Sequence, residues 1–212
     1  MIFKQDMLAR YFILGTQNVA SEAVFFEVLT QALANGITLF QYREKGPGSL
    51  TGSDKRRVAQ RVRELTTQYQ VPLVIDDDID LAHAIKADGV HFGQGDGDIE
   101  KNIQASQPLF VGVSVSTQSE YDRITGLNGI DNIGIGPVFA TTSKADAKPA
   151  IGIAGLKEIV SQSQWPAIAI GGISQANLPD VLKTGVVGAS VISMISESEN
   201  ISQTLAYWKQ LT

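Results

Sequence analysis

The 212-residue sequence contains no cysteine, which removes disulfides and thiol chemistry from consideration. Histidine is almost as scarce, with only His83 and His91 present. A zinc site is therefore not expected, and neither is a Ser-His-Asp or Cys-His nucleophilic apparatus. Excess positive charge is missing too. Seventeen lysines and arginines stand against 22 aspartates and glutamates, for a net charge of −5. That balance argues against a nucleic-acid partner, because a phosphate backbone selects a basic surface. It leaves room for small phosphorylated ligands, which need only a few well-placed cations. No apolar run approaches the ~18 residues of a membrane span. Met1 to Asp6 shows no run of signal-peptide length either. The expected setting is cytoplasmic, with no membrane partner.

What the chain does have is 43% hydrophobic residues, enough to bury a large core, and a hydrophobic period that keeps changing. Tyr11 to Leu14 is short and fully apolar, as in a strand buried on both faces. Ser21 then reads as a helix cap, and Val24, Phe25, Val28, Leu29, Ala32 and Leu33 repeat at helical spacing until Asn35-Gly36. The same alternation recurs. Strands are expected at 38–43, 72–75, 89–92, 109–115, 132–136, 167–170 and 188–192, each followed by a helical stripe. Thr117 and Glu120 form a T-x-x-E capping box, and Ser174 reads as the cap of the seventh helix. Gly112 and Gly134 lie inside strands, where glycine leaves room for close packing or a ligand. Trp165, Trp208 and Tyr207 read as packing residues.

Eight strand–helix units imply parallel strands with right-handed crossovers. The expected fold is α/β, a (β/α)8 TIM barrel over residues 1–212 as a single domain. A doubly wound open sheet is the runner-up; the sequence shows neither a G-x-G-x-x-G turn nor a P-loop. The least regular stretch, 137–155, follows the sixth strand and reads as a functional loop.

In a parallel barrel the chemistry sits where strands end and helices begin. The second strand ends in Gln41, Arg43, Glu44 and Lys45, the third in Asp76-Asp77-Asp78, and the fourth runs into Gln94, Asp96 and Asp98. Ser114, Ser116 and Thr117 end the fifth. Thr141, Thr142, Ser143 and Lys144 follow the sixth, Gly171-Gly172 the seventh, and Ser190 and Ser193 belong to the eighth. An acidic triplet before a helix can be capping and nothing more. With Asp96 on the adjacent strand and cations one strand away, it also suits Mg²⁺ held by carboxylates and substrate phosphates. Arg43 and Lys45 would hold a diphosphate beside it. Gly171-Gly172 and the small residues of the eighth strand match the recurrent phosphate site of barrels. His91 reads as a packed core histidine. The residues thus point to a Mg²⁺-diphosphate ligand on one side of the mouth and a monophosphate on the other.

Seven segments together resemble the thiamine-phosphate synthase family: Gln41-Tyr42-Arg43-Glu44-Lys45, Asp76-Asp77-Asp78, His91 to Asp96, Gly112 to Ser114, Gly134 to Phe139 with Thr141 to Lys144, Gly171 to Ile173, and Ser190 to Ser193. The resemblance implies a Mg²⁺-dependent transferase. It would join 4-amino-5-hydroxymethyl-2-methylpyrimidine diphosphate to a thiazole phosphate, after departure of diphosphate and formation of a pyrimidine-stabilised carbocation. It further implies Asp77 and Asp96 as metal ligands, with Arg43, Lys45, Ser114 and Lys144 acting catalytically on the diphosphate. Gln41, Tyr42, Glu44 and Asp76 join them as substrate contacts. Thr141, Thr142, Ser143, Gly172, Ile192 and Ser193 would form the thiazole-phosphate side. Where the family commonly has Asn-Asp, this chain has Asp76-Asp77; either Mg²⁺ or Arg43 offsets the extra charge, or Asp76 points away. Two rivals stay open: a thiazole tautomerase of the same superfamily, and a non-catalytic phosphate-ligand-binding barrel. The tautomerases carry a histidine at the position of Ser116. A homo-oligomer is left open as well.

Overall fold

The computed structural model describes residues 2–143 and 148–212. Eight parallel strands close in sequence order into a barrel. They are β1 (Arg10–Leu14), β2 (Leu39–Tyr42), β3 (Leu73–Asp76), β4 (Gly89–Phe92), β5 (Phe110–Val115), β6 (Asn132–Ile135), β7 (Ala167–Ile170) and β8 (Gly188–Val191). The outer layer comprises α1 (Glu22–Ala34), α2 (Gly52–Gln68), α3 (Ile79–Ala84), α4 (Ile99–Ala105), α5 (Gln118–Ile124), α6 (Gly152–Gln162), α7 (Leu178–Leu182), α8 (Ser193–Ser196) and α9 (Ile201–Lys209). The expected barrel is borne out, and the open sheet is excluded by the pairing of β1 with β8. No helix among the described residues is long and apolar enough to cross a membrane.

Strand residues alternate between two cores because successive Cβ atoms point to opposite faces. Phe12, Leu14, Phe40, Tyr42, Ile75 and Phe92 pack in the large cluster with the helix stripes. Tyr11, Ile13, Leu39, Val74, Phe110 and Ile168 form a second cluster inside the barrel. Leu8, from a 3₁₀ turn at Gln5–Leu8, joins that inner cluster, and Phe3 lies 5.5 Å from the Phe110 ring, closing the lower end. Truncating Phe110 to alanine there would cost about 3–5 kcal/mol. Further along the same inward faces the side chains turn polar. Gln41 follows Leu39, Asp76 follows Val74, and Ser114 lies four residues beyond Phe110. The lumen is thus sealed below and polar above.

Helix termini follow their caps, with two corrections. Ser21 caps α1 by accepting from the Val24 amide, and Thr117 caps α5 by accepting from the Glu120 amide. Glu120, however, does not complete a reciprocal box; its carboxylate takes the Ser116 amide and Lys148 instead. Ser174 does not cap α7. Pro179 lacks the N–H that a helix interior requires, so it belongs in the first turn and the helix begins at Leu178, with Asn177 as its N-cap residue. The single turn α8 directly after β8 was not expected from the periodicity.

Candidate active site

Arg43 continues β2, its amide donating to the Leu14 carbonyl at 3.0 Å, so its side chain enters the mouth on the inward face shared with Gln41. Its Nε lies 3.2 Å from Asp76 Oδ2, with both side chains almost wholly buried. Arg43 therefore offsets the Asp76 charge. Asp77 has φ of +51°, a left-handed conformation that a short polar side chain tolerates, and its amide donates to the His91 carbonyl. Its carboxylate meets Lys45, although Asp77 itself does not line the cavity. Asp96 is pinned from the other side: its Oδ2 accepts from the Gly93 amide at 2.7 Å, and its carbonyl accepts from Asn102.

These two carboxylates converge on one cation. Lys45 Nζ donates to Asp77 Oδ2 at 2.6 Å and also to Asp96 Oδ1. Burial works against the Lys45 ammonium, but its bonds to Asp77 and Asp96 outweigh this and raise its pKa above the ordinary lysine value. The ammonium marks the point where a small hard cation would meet both oxygens. No cluster of three or more acidic, histidine or cysteine ligands exists among the described residues. A divalent ion held here would complete its shell from water and phosphate, as Mg²⁺ ordinarily does.

Asp78 belongs to the capping reading rather than to the mouth. It accepts from the Leu81 amide at the start of α3 and pairs with Lys55 at 2.8 Å. Two expected substrate contacts also need correction. Tyr42 faces outward, buried against Phe25 between barrel and helices, because it alternates with Gln41 and Arg43 along β2. Glu44 is used within the fold: one oxygen accepts from the Thr16 amide at 2.7 Å, the other from the Leu50 amide at 2.8 Å. It ties the loops after β1 and β2 together. Gln41 does point into the lumen. Its Nε2 donates to the Tyr11 hydroxyl at 2.7 Å, while its Oε1 is buried without a protein partner.

The opposite rim is built from backbone. Gly171 and Gly172 have φ of +84° and +67°. The chain leaving β6 lies against them, with the Val138 amide donating to the Ile170 carbonyl and the Phe139 amide to the Gly171 carbonyl. A Cβ on Gly172 would stand 2.7 Å from the Ala140 carbonyl oxygen, so both conformation and space demand glycine. Asn177 Nδ2 donates to the Gly172 carbonyl at 3.0 Å and fixes the turn. Ile192 and Ser193, at the junction of β8 and α8, complete this rim.

A single cavity brings most of these residues together. Arg43, Lys45, Asp76, Asp96, Ser114, Thr141, Ser143, Gly172, Ile192 and Ser193 all line it. Thr142 lines the adjoining recess with Arg43, Lys45 and Ser143. Lys144 lies outside the described residues. The cavity also includes His91, expected only as a packed core histidine, Gln94, noted at the end of the fourth strand without a role, and Lys148, which the strand-end reading did not reach. Gln94 Nε2 holds the Ser114 carbonyl at 2.9 Å. Lys148 Nζ lies 2.5 Å from Glu120 Oε1 and ties the loop after β6 to the start of α5.

The model of a family described as thiamine monophosphate synthase matches residues 10–195. The chain belongs to that family. A thiamine-phosphate synthase of Leuconostoc citreum is 62% identical over 212 residues, covering all of both chains. One from Pediococcus pentosaceus is 46% identical over 201 residues, 93% of this chain and 92% of its own. Among solved structures, a thiamine phosphate pyrophosphorylase from Pyrococcus furiosus superposes with a TM-score of 0.84 at 31% identity, covering 98% of this chain and 96% of that one. The resemblance carried by the seven motif segments is borne out. Similarity to named synthases over the full chain favours that member of the superfamily over a tautomerase, in keeping with Ser116 at the position where a tautomerase has histidine.

Proposed function

We propose that the protein joins 4-amino-5-hydroxymethyl-2-methylpyrimidine diphosphate to 4-methyl-5-(2-phosphoethyl)thiazole, forming thiamine phosphate and diphosphate. One observation carries this reading: Asp77 and Asp96 converge on the Lys45 ammonium, opposite a backbone rim at Gly171-Gly172 and Ser193. The first half suits a metal-bound diphosphate and the second a monophosphate. The buried, unpartnered Oε1 of Gln41 is an acceptor suited to the exocyclic amine of an aminopyrimidine.

The reaction needs one C–O bond to break, its electron pair leaving with the diphosphate. The methylene carbocation left behind, stabilised by the electron-rich pyrimidine, is captured by the thiazole nitrogen through a new C–N bond. Arg43, Lys45, Lys144 and the Ser114 hydroxyl would stabilise negative charge as it collects on the departing group. Mg²⁺, held by Asp77 and Asp96, would supply further neutralisation of the diphosphate. Thr141, Thr142, Ser143 and the backbone near Gly172, Ile192 and Ser193 would orient the thiazole phosphate for capture. No general base is required, which accords with a mouth whose only histidine is His91. We place the activity in the cytoplasm, with these two small molecules as its partners.

The test combines purified protein, both substrates and Mg²⁺ and measures thiamine phosphate and released diphosphate. Formation of both in equal amounts is expected. Binding of both ligands without turnover, in a folded protein, would instead establish a phosphate-ligand-binding barrel.

A further inference from the structure

His91 stands on β4 with its ring inside the barrel, and its Nε2 lies 2.7 Å from Ser114 Oγ on the adjacent strand. The strand register explains how this contact forms. His91 is paired with Gly112, two residues before Ser114 on the same inward face of β5. Gly112 is a necessary partner: a Cβ there would stand 2.4 Å from His91 Nδ1 and 2.9 Å from Asn132 Oδ1. Only a bare backbone lets the imidazole lie over β5 and reach the serine. His91 and Ser114 both line the cavity, yet His91 is 7% exposed.

A hydroxyl has one proton and two acceptor lone pairs, so the His91 bond decides what Ser114 can offer. If Nε2 accepted, the only Ser114 proton would point away from the ligand and its lone pairs would face an anion. If Nε2–H donates, that proton is released toward the mouth, where it can donate to a diphosphate oxygen. We infer that His91 is a positioning residue: it carries its proton on Nε2 and sets the Ser114 hydroxyl as a donor to the anionic substrate. This rests on the reading of Ser114 as a diphosphate contact. The histidine acts only through the serine and exchanges no proton in turnover.

The tautomer is measurable without turnover. With two histidines in the chain, ¹⁵N-histidine NMR of the full-length protein resolves both rings, and a His83→Gln variant assigns them. A proton on His91 Nε2 is expected; a proton on Nδ1 with a bare Nε2 overturns the inference. Steady-state kinetics provide the second arm. His91→Leu and Ser114→Ala should each lower kcat/KM for the pyrimidine diphosphate about 10- to 100-fold, the range for a hydrogen bond to a charged group. The double variant should lose no more than Ser114→Ala alone. His91→Gln, whose Nε2 can replace the ring donor, should recover most of the loss, while Gly112→Ala should reproduce it by displacing the ring. Additive losses, or a His91→Gln variant as poor as His91→Leu, would overturn the inference. If the wild-type protein makes no thiamine phosphate, the function reading fails, and the tautomer still decides the role of His91.

Discussion

The two rims of the mouth face each other across a single cavity but are made of different material. At the ends of β2 to β4 the cavity is lined by charged side chains, Arg43, Lys45, Asp76 and Asp96, with Asp77 paired to Lys45 behind them. At the ends of β7 and β8 the lining is a left-handed glycine pair, an isoleucine and a serine. The difference follows from what happens to charge in the proposed reaction. A leaving diphosphate gains negative charge as its bond breaks, and preorganised cations beside it would stabilise that charge. A phosphate that stays attached to its ring keeps its charge, and fixed backbone dipoles can hold it.

That contrast predicts asymmetric responses to substitution. The largest is expected from Asp77→Asn, which keeps a residue tolerant of the left-handed turn but removes the charge. Turnover should fall on the order of 100-fold, with the thermal midpoint close to that of the parent protein. A large drop in midpoint would assign Asp77 to the fold. Gly172→Ala should break the other rim differently. The left-handed backbone and the nearby Ala140 carbonyl should cost about 1–2 kcal/mol of stability, and KM for the thiazole phosphate should rise by about tenfold. An equal rise for both substrates would mean that the rims are not separate.

Asp76→Asn sharpens the charged side. Removing the carboxylate that pairs with Arg43 should lower the Mg²⁺ concentration needed for half-maximal turnover several-fold. An unchanged Mg²⁺ titration would show that Asp76 has no bearing on metal demand. The response to acid should be smaller near neutrality. Burial pushes the Asp78 and Glu120 carboxyls up, but Lys55 and Lys148 outweigh it and hold both below the ordinary range. A depressed folded-state pKa stabilises the fold above the unfolded value and loses that contribution as pH falls through the folded value. The thermal midpoint should therefore hold until about pH 4 and decline below it. Glu120→Gln should soften that decline, as thermal scans across pH would show. The smallest effect is expected from Tyr42→Phe. Its ring faces the helices, so kcat/KM should change less than about twofold, within the range of a substitution that leaves packing intact.

Most of the barrel was legible because its strands and helices alternate with sharp changes of period. The strand ends then named the cavity, since parallel topology puts them on one face. Side-chain direction was harder to read. Gln41-Tyr42-Arg43-Glu44-Lys45 looks like one functional block, but a strand sends neighbours to opposite faces, and Tyr42 is lost to the core. Alternation alone could have removed it. Glu44 could not have been removed that way, because its partners are the Thr16 amide from the loop after β1 and the Leu50 amide six residues on in its own loop. Ser174 was misread because Pro179, five residues on, was not weighed against it. Lys148 and Glu120 meet across 28 residues, a contact that no local pattern encodes.

The most direct test of the two-rim account is calorimetric titration of each substrate alone, with Mg²⁺ and then with the metal chelated. Chelation should weaken pyrimidine diphosphate binding by at least about tenfold, as expected when a charge-neutralising contact is lost, and leave the affinity for thiazole phosphate unchanged. Equal weakening of both ligands, or of neither, would contradict a mouth divided into a metal-dependent charged rim and a metal-independent backbone rim.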